Sequence, residues 1–233
     1  MKTVILGTSH RRREPGKQSP DGRLKEYLYS REIIADLKAK LEAYNITTYV
    51  DMPDEDLPES LQSSSYTTER NNELSRRVNE VNAICDRFGK DNCLYVSIHV
   101  NAASADNSWH NAGGWSAYTS VGHTKADELA ECLYDAAETC LSDYAKHMEA
   151  GKETGAYGKN QKPFRIDTTD GDRDIESNLY VLQHTKCPAV LTENLFQDNK
   201  ADVDFLLSEE GRHAIERLHL EGILKYIQTH ETH

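Results

Sequence analysis

Apolar and polar positions along the chain sort into two alternating kinds of segment. Short apolar runs rich in β-branched residues occur at "TVILG" (3–7), "ITTYV" (46–50), "CLYVSIH" (93–99), "GWSAYT" (114–119), "LYVLQH" (179–184) and "AVLTE" (189–193), and such runs predict strands. Between them, apolar residues recur every three or four positions near 25–44, 72–88, 123–141, 200–207 and 209–228, which predicts helices. Strands alternating with helices build a sheet covered on both faces. The expected fold is therefore α/β: a three-layer sandwich with a mixed, mostly parallel six-stranded sheet flanked by helices.

Nothing along the 233 residues splits them into two cores, so residues 1–233 are expected to form a single domain. Polar segments at 51–71 and 142–178 interrupt the pattern. A compact domain seldom keeps a long loop without a use, so 142–178 is expected either to cover a substrate or to be locally disordered.

Charge narrows the function classes. A net charge of -12 with scattered basic residues disfavours nucleic acid, which needs a basic face to neutralise phosphates. The one local run, Arg11 to Arg13, reads as a solvated loop. No stretch is long and apolar enough for a membrane span, so no stable membrane association is expected. The apolar run in "MKTVILGTSH" is too short for a signal peptide. The chain is thus expected to carry no export address of its own, unless its native gene supplies one upstream. Five cysteines without CxxC spacing argue against a disulfide framework and a structural zinc site. Cys132 and Cys140 share a helical stripe with Leu129, Leu133 and Ala136 and read as small core residues.

The candidate chemistry lies at strand ends. His99 ends one apolar strand, His10 follows another within a few residues, and Glu193 closes a third. If the three run parallel, their side chains meet at the carboxyl edge of the sheet, where open α/β sheets bind ligands. Glu26 shares a helix face with Ile33, Leu37 and Leu41, so a carboxylate heads the core-facing stripe and needs compensation. A cation supplies it. Two histidines and a carboxylate with an open position make a catalytic zinc set, and a further carboxylate can act as general base. Ordinary roles stay open for each residue: a core histidine, a loop histidine, a helix-terminal acid for Glu26, and for Glu193 an ion pair with an arginine such as Arg77. "DGDRD" (170–174) lacks the glycine and the glutamate of a calcium loop, Val181 standing where the glutamate belongs. No GxSxG elbow or phosphate-binding glycine loop occurs.

An early histidine after a first strand, a glutamate heading the next helix, "VSIHVNAA" and the late "PAVLTENLFQDN" together resemble the zinc-dependent N-acetylmuramoyl-L-alanine amidases of type 3, which are peptidoglycan hydrolases. The resemblance runs from about Val4 to Tyr226. It implies that His10, Glu26 and His99 hold one Zn2+ and that Glu193 is the catalytic carboxylate. The substrate it implies is peptidoglycan or a muropeptide, cut between the lactyl group of N-acetylmuramic acid and L-alanine. The family's glycine-rich context around the first histidine is replaced here by "GTSHRRR", so a differently shaped loop is expected after His10. Asn101 and Trp115 are expected to bind substrate, and His110 is the weaker choice of ligand. A monomer acting on the cell wall, in the periplasm or outside the cell after release or lysis, is the expected setting. Two rivals remain: a zinc peptidase cutting within the stem peptide, and a non-catalytic wall-binding relative.

Overall fold

The computed structural model describes residues 2–231. Six strands form one sheet: β1 (Thr3–Gly7), β2 (Thr47–Val50), β3 (Cys93–Asn101), β4 (Ser116–Thr119), β5 (Ile175–Glu176) and β6 (Ala189–Phe196), in the order β2-β1-β3-β6-β4-β5. Neighbours pair in parallel except β4 and β6, which are antiparallel. The expected mixed, mostly parallel sheet is therefore present, with β1, β3 and β6 side by side.

The helices are α1 (Glu26–Ala43), α2 (Tyr66–Phe88), α3 (Lys125–Cys140), α4 (Ser142–Thr154), α5 (Tyr180–His184), α6 (Lys200–Leu207) and α7 (Glu209–Glu231). Strand periodicity divides the core. Leu94, Val96 and Ile98 of β3 pack with Ile33 and Leu37 of α1, Leu129 and Leu133 of α3, and Ile215 and Leu218 of α7. Tyr95 joins Ile5 and Leu191 on the opposite face, under Val78 and Val81 of α2 and Val181 and Leu182 of α5. Side chains that alternate across a strand cover both faces, giving the three layers. Cys132 and Cys140 pack partly buried against the larger cluster, and all five cysteines are free thiols.

Two expectations about elements are corrected. "LYVLQH" is not a strand: Leu179 is an extended helix cap and residues 180–184 make a short helix. Val181 and Leu182, adjacent in sequence, are both buried, a pattern no half-buried strand gives. Tyr180 stacks on His184 with ring centroids 4.1 Å apart, the one-turn spacing of a helix. Asn82 of α2 donates to the His184 carbonyl at 2.9 Å, while β5 takes the sixth place in the sheet.

The segment 142–178 is packed against the domain, and its last residue, Asn178, lines the cavity at the strand ends. It contains α4 and β5. Tyr144 and Tyr157 both donate to the buried Asp202 Oδ1, at 2.9 and 2.7 Å, and Arg165 N donates to the Trp115 carbonyl at 2.8 Å. These bonds pin it to the body of the domain.

Candidate active site

Three parallel strands deliver the reactive groups to one edge. β1 ends at Gly7, opposite Ser97 of β3, and β3 carries His99 directly opposite Glu193 of β6. Ser97, His99, Leu191 and Glu193 share the α2 side of the sheet and line a cavity of about 420 Å³ together with His10. The expected convergence of His10, His99 and Glu193 is what the fold produces.

Glu26 arrives from the other layer. It opens α1, and its backbone N–H donates to the Lys17 carbonyl at 3.0 Å. Its side chain is 1% exposed. Oε1 accepts from His99 Nδ1 at 3.0 Å and from Val100 N at 3.2 Å. Oε2 lies 3.5 Å from His10 Nε2 and, though buried, has no hydrogen bond. The ligand atoms of His10, Glu26 and His99 all lie within 4.8 Å of one another.

The scaffold around these groups is almost entirely polar and closed. Ser30 of α1 accepts from Ser9 N at 2.9 Å and donates to the Ile98 carbonyl at 2.8 Å, tying the β1 loop to β3. Ser9 Oγ donates to the Glu26 carbonyl at 2.9 Å. Arg31 donates to the carbonyls of Ser9 and His10, at 3.1 and 3.0 Å, and Arg77 to that of Ser9 at 3.0 Å. The loop after His10 turns inward. Arg11 is 1% exposed and sits among Glu14, Glu69 at 3.4 Å and Glu73 at 2.6 Å, whereas Arg12 and Arg13 are exposed. The solvated-loop reading therefore fails for Arg11, because three acids on one side of the loop compensate its charge. Arg77 does not pair with Glu193 either: it bonds Asp51 and Glu73, each at 2.9 Å.

On β6 the register shifts by a bulge between His99 and Asn101, and Leu195 takes φ 63°. Asn194 uses that kink: it donates to the His99 carbonyl at 2.9 Å and accepts from Trp115 Nε1 at 2.9 Å. Thr192 Oγ1 lies 2.9 Å from His219 Nε2, while Nδ1 of the same ring is 2.7 Å from the Ile215 carbonyl. A carbonyl only accepts, so Nδ1 carries the proton and Thr192 donates to Nε2.

Electrostatics separate the two glutamates. Burial opposes charge on Glu26, but His10 and the His99 hydrogen bond outweigh it and hold the carboxyl well below its ordinary range. Glu193 is pushed up to about 8, first by desolvation and then by the negative charge of Glu26. Its surface reaches the cavity, yet Oε2 is shielded and has no hydrogen bond. Desolvation lowers His10 to about 3, so this ring is neutral at pH 7 and offers a lone pair. A neutral imidazole, a second imidazole, an ionised carboxylate with an orphaned oxygen, and a nearby acid of raised proton affinity suit a divalent cation and proton transfer.

Two other expectations do not fit. Trp115 is 0% exposed, bonded to Asn194 and set edge-on to Tyr134 at 4.9 Å, so it braces β6 rather than touching substrate. Asn101 turns its Oδ1 to the N–H of Ala102 at 2.8 Å, outside the cavity that holds His99. His110 pairs with Asp106 at 2.9 Å and lines a separate cavity of about 690 Å³ beside Trp109 and Lys200. Sequence reading missed the residues that hold the site: Ser9, Ser30, Arg31, Glu73, Arg77 and Asn194. Only the buried positions of Glu73 and Arg77 on the α2 stripe, one turn apart, carried any signal.

Fold and site define the class first: a hydrolytic enzyme with its reactive groups at the carboxyl edge of a mostly parallel α/β sheet. The chain belongs to the N-acetylmuramoyl-L-alanine amidases of type 3, whose family model matches residues 4–225. Among solved structures it is similar to the CwlD amidase of Clostridioides difficile in complex with the GerS lipoprotein (TM-score 0.68, 20% identity, covering 98% of this chain and 100% of that one). It is also similar to the N-acetylmuramoyl-L-alanine amidase of Clostridium difficile 630 (TM-score 0.69, 19% identity, 98% of each chain). The catalytic domain of the CD27L endolysin targeting Clostridia Difficile shares the fold as well (TM-score 0.59, 20% identity, 97% of this chain and 98% of that one). No curated protein matches the sequence.

Proposed function

We propose that the chain is a zinc-dependent amidase that hydrolyses the bond between the lactyl group of N-acetylmuramic acid and L-alanine in cell-wall peptidoglycan. The observation that carries this reading is the meeting of the His10, Glu26 and His99 ligand atoms within 4.8 Å, with both histidines lining the same cavity as Glu193. The donor set fits zinc: two imidazoles and a buried carboxylate with one oxygen lacking a hydrogen bond, ligand types common to catalytic zinc sites. Zinc held by His10, Glu26 and His99 would supply a water of lowered pKa and a Lewis acid for the amide carbonyl.

The chain's own groups do the rest. His10 and His99 contribute lone pairs; Arg31 and Asn194 hold their carbonyls, and Ser30 ties the neighbouring Ser9 and Ile98 together, which fixes ligand direction before substrate arrives. Glu193, set opposite His99 in the sheet, takes a proton from the attacking water and returns it to the departing L-alanine nitrogen. Elemental analysis of wild type and His99→Ala, followed by assay of peptide release from purified peptidoglycan, tests the assignment. About one zinc per chain, lost with release of L-alanine-terminated peptides in the variant, is expected. Zinc retained in the variant, or fragments cut within the stem peptide, would overturn it.

A further inference from the structure

Two cations that line the catalytic cavity are left without a hydrogen bond or ion pair among the described residues. Lys17 and Arg70 line the same cavity as His10, His99 and Glu193. Among the described residues neither side chain makes a hydrogen bond or ion pair. The other guanidiniums around the site are committed: Arg11 to three acids, Arg77 to Asp51 and Glu73, and Arg31 to backbone carbonyls. Of the acids on the cavity wall, Glu193 has an oxygen without a hydrogen bond, and the other two are committed. Glu14 pairs with Arg11 and accepts from Tyr66, and Glu73 pairs with Arg11 and Arg77. The cavity therefore carries two positive charges without a hydrogen bond or ion pair, Lys17 near enough to act on Glu26 and Glu193, in a protein whose net charge is -12.

Both backbones are anchored to the catalytic scaffold. The Lys17 carbonyl accepts from the N–H of Glu26. Arg70 follows Glu69 on α2, and Glu69 is held by Arg11 and Arg13. Fixed backbones with free heads on a cavity wall suit capture of an anion on the substrate, because a charge-assisted hydrogen bond is worth more than a neutral one and its loss leaves a cation unpaired.

We infer that Lys17 and Arg70 form a carboxylate subsite that binds a free carboxylate of the stem peptide next to the scissile bond and discriminates against its carboxamide. The inference rests on the amidase reading. In a stem peptide the residue after L-alanine is a D-glutamate joined through its side chain, so its α-carboxyl group is either free or amidated. The site takes the free form. Lys17 and Arg70 act as specificity-determining residues that touch the substrate away from the reacting atoms.

The test uses two substrates that differ only there, MurNAc-L-Ala-D-Glu and MurNAc-L-Ala-D-isoglutamine, with wild type, Lys17→Gln, Arg70→Gln and Lys17→Arg. Wild type is expected to favour the carboxylate by about 10-fold or more in kcat/KM. Both glutamine variants are expected to narrow that ratio toward one through KM, while Lys17→Arg keeps it. Lys17 also lies close enough to lower the proton affinity of Glu193, but that effect acts on both substrates alike and cancels in the ratio. Calorimetric binding of both compounds to Glu193→Gln, alone and combined with each glutamine variant, reads the same preference without turnover. A wild-type ratio near one, or a ratio that the glutamine variants leave intact, would overturn the subsite. If neither compound is cut between lactyl group and L-alanine, the amidase reading falls, and the binding ratio still decides the subsite.

Discussion

Glu193 and Glu26 are the same residue type in one small volume, and their surroundings drive them apart. Glu26 is held well below its ordinary range beside His10 and His99 despite its burial, whereas Glu193 is raised by desolvation and by the repulsion of Glu26, with Lys17 and Arg165 opposing. That contrast suits the roles proposed for them, one holding charge and the other moving protons. Replacing Glu193 with Gln keeps the shape and removes the proton acceptor. It is expected to lower kcat by about 10²- to 10⁴-fold with bound zinc unchanged, measured by muropeptide hydrolysis and elemental analysis on the same sample. At this scale the sequence was informative where chemistry sits at a strand end. His99, Glu193 and His10 could be placed because each follows an apolar run, and Glu26 because a charge interrupts a core stripe. Trp115 and Asn101 misled because position along a strand says nothing of whether a neighbouring side chain, here Asn194, or the local backbone has already claimed the polar atoms.

Elements position the site through buried polar bonds that no periodicity reveals. The β1–α1 loop has no glycine-rich turn after His10; it is held by Arg11 buried among Glu14, Glu69 and Glu73. Removing one partner from such a cluster strands the others. Arg11→Met is expected to cost about 3–5 kcal/mol, seen as a lower urea midpoint with an unchanged m-value. Ser30 joins the same loop to β3 through two hydrogen bonds, and Ser30→Ala is expected to cost about 1–3 kcal/mol because it leaves the Ser9 N–H buried without an acceptor. An equal loss of zinc affinity and stability would show that loop and ligand set act as a unit. The helix 180–184 and the pinned 142–178 segment escaped prediction for a related reason. Their conformations are set by Asn82, Asp202 and the β4 backbone, partners far away in sequence.

Across the whole molecule the hydrophobic pattern was enough for the layers and most strand and helix positions, since burial on two faces demands that pattern in any α/β sandwich. It could not show that α7 touches β6 beside Glu193, through His219 and Thr192. His219 of α7, buried in the core, is held near 4 by desolvation, below the ordinary value of 6.5. The unfolded chain therefore binds the extra proton first, and stability is expected to fall as pH drops from about 6.5 toward 4, by about 3 kcal/mol in full. Asp202, raised to about 7 by burial, acts in the opposite sense over about the same range. The clean measurement is thus the difference in urea stability between wild type and His219→Leu at pH 7 and pH 4.5, which should shrink at the lower pH. The bracing role of Trp115 has an optical consequence as well. The chain has two tryptophans: Trp109 is 38% exposed and Trp115 is 0% exposed against Asn194. A Trp109→Phe variant leaves a single emitter whose indole N–H is bonded to the residue that holds the His99 backbone. Its fluorescence should be blue-shifted and resistant to acrylamide quenching, and it should move to the red as β6 separates from β3, reporting the integrity of the catalytic edge without substrate.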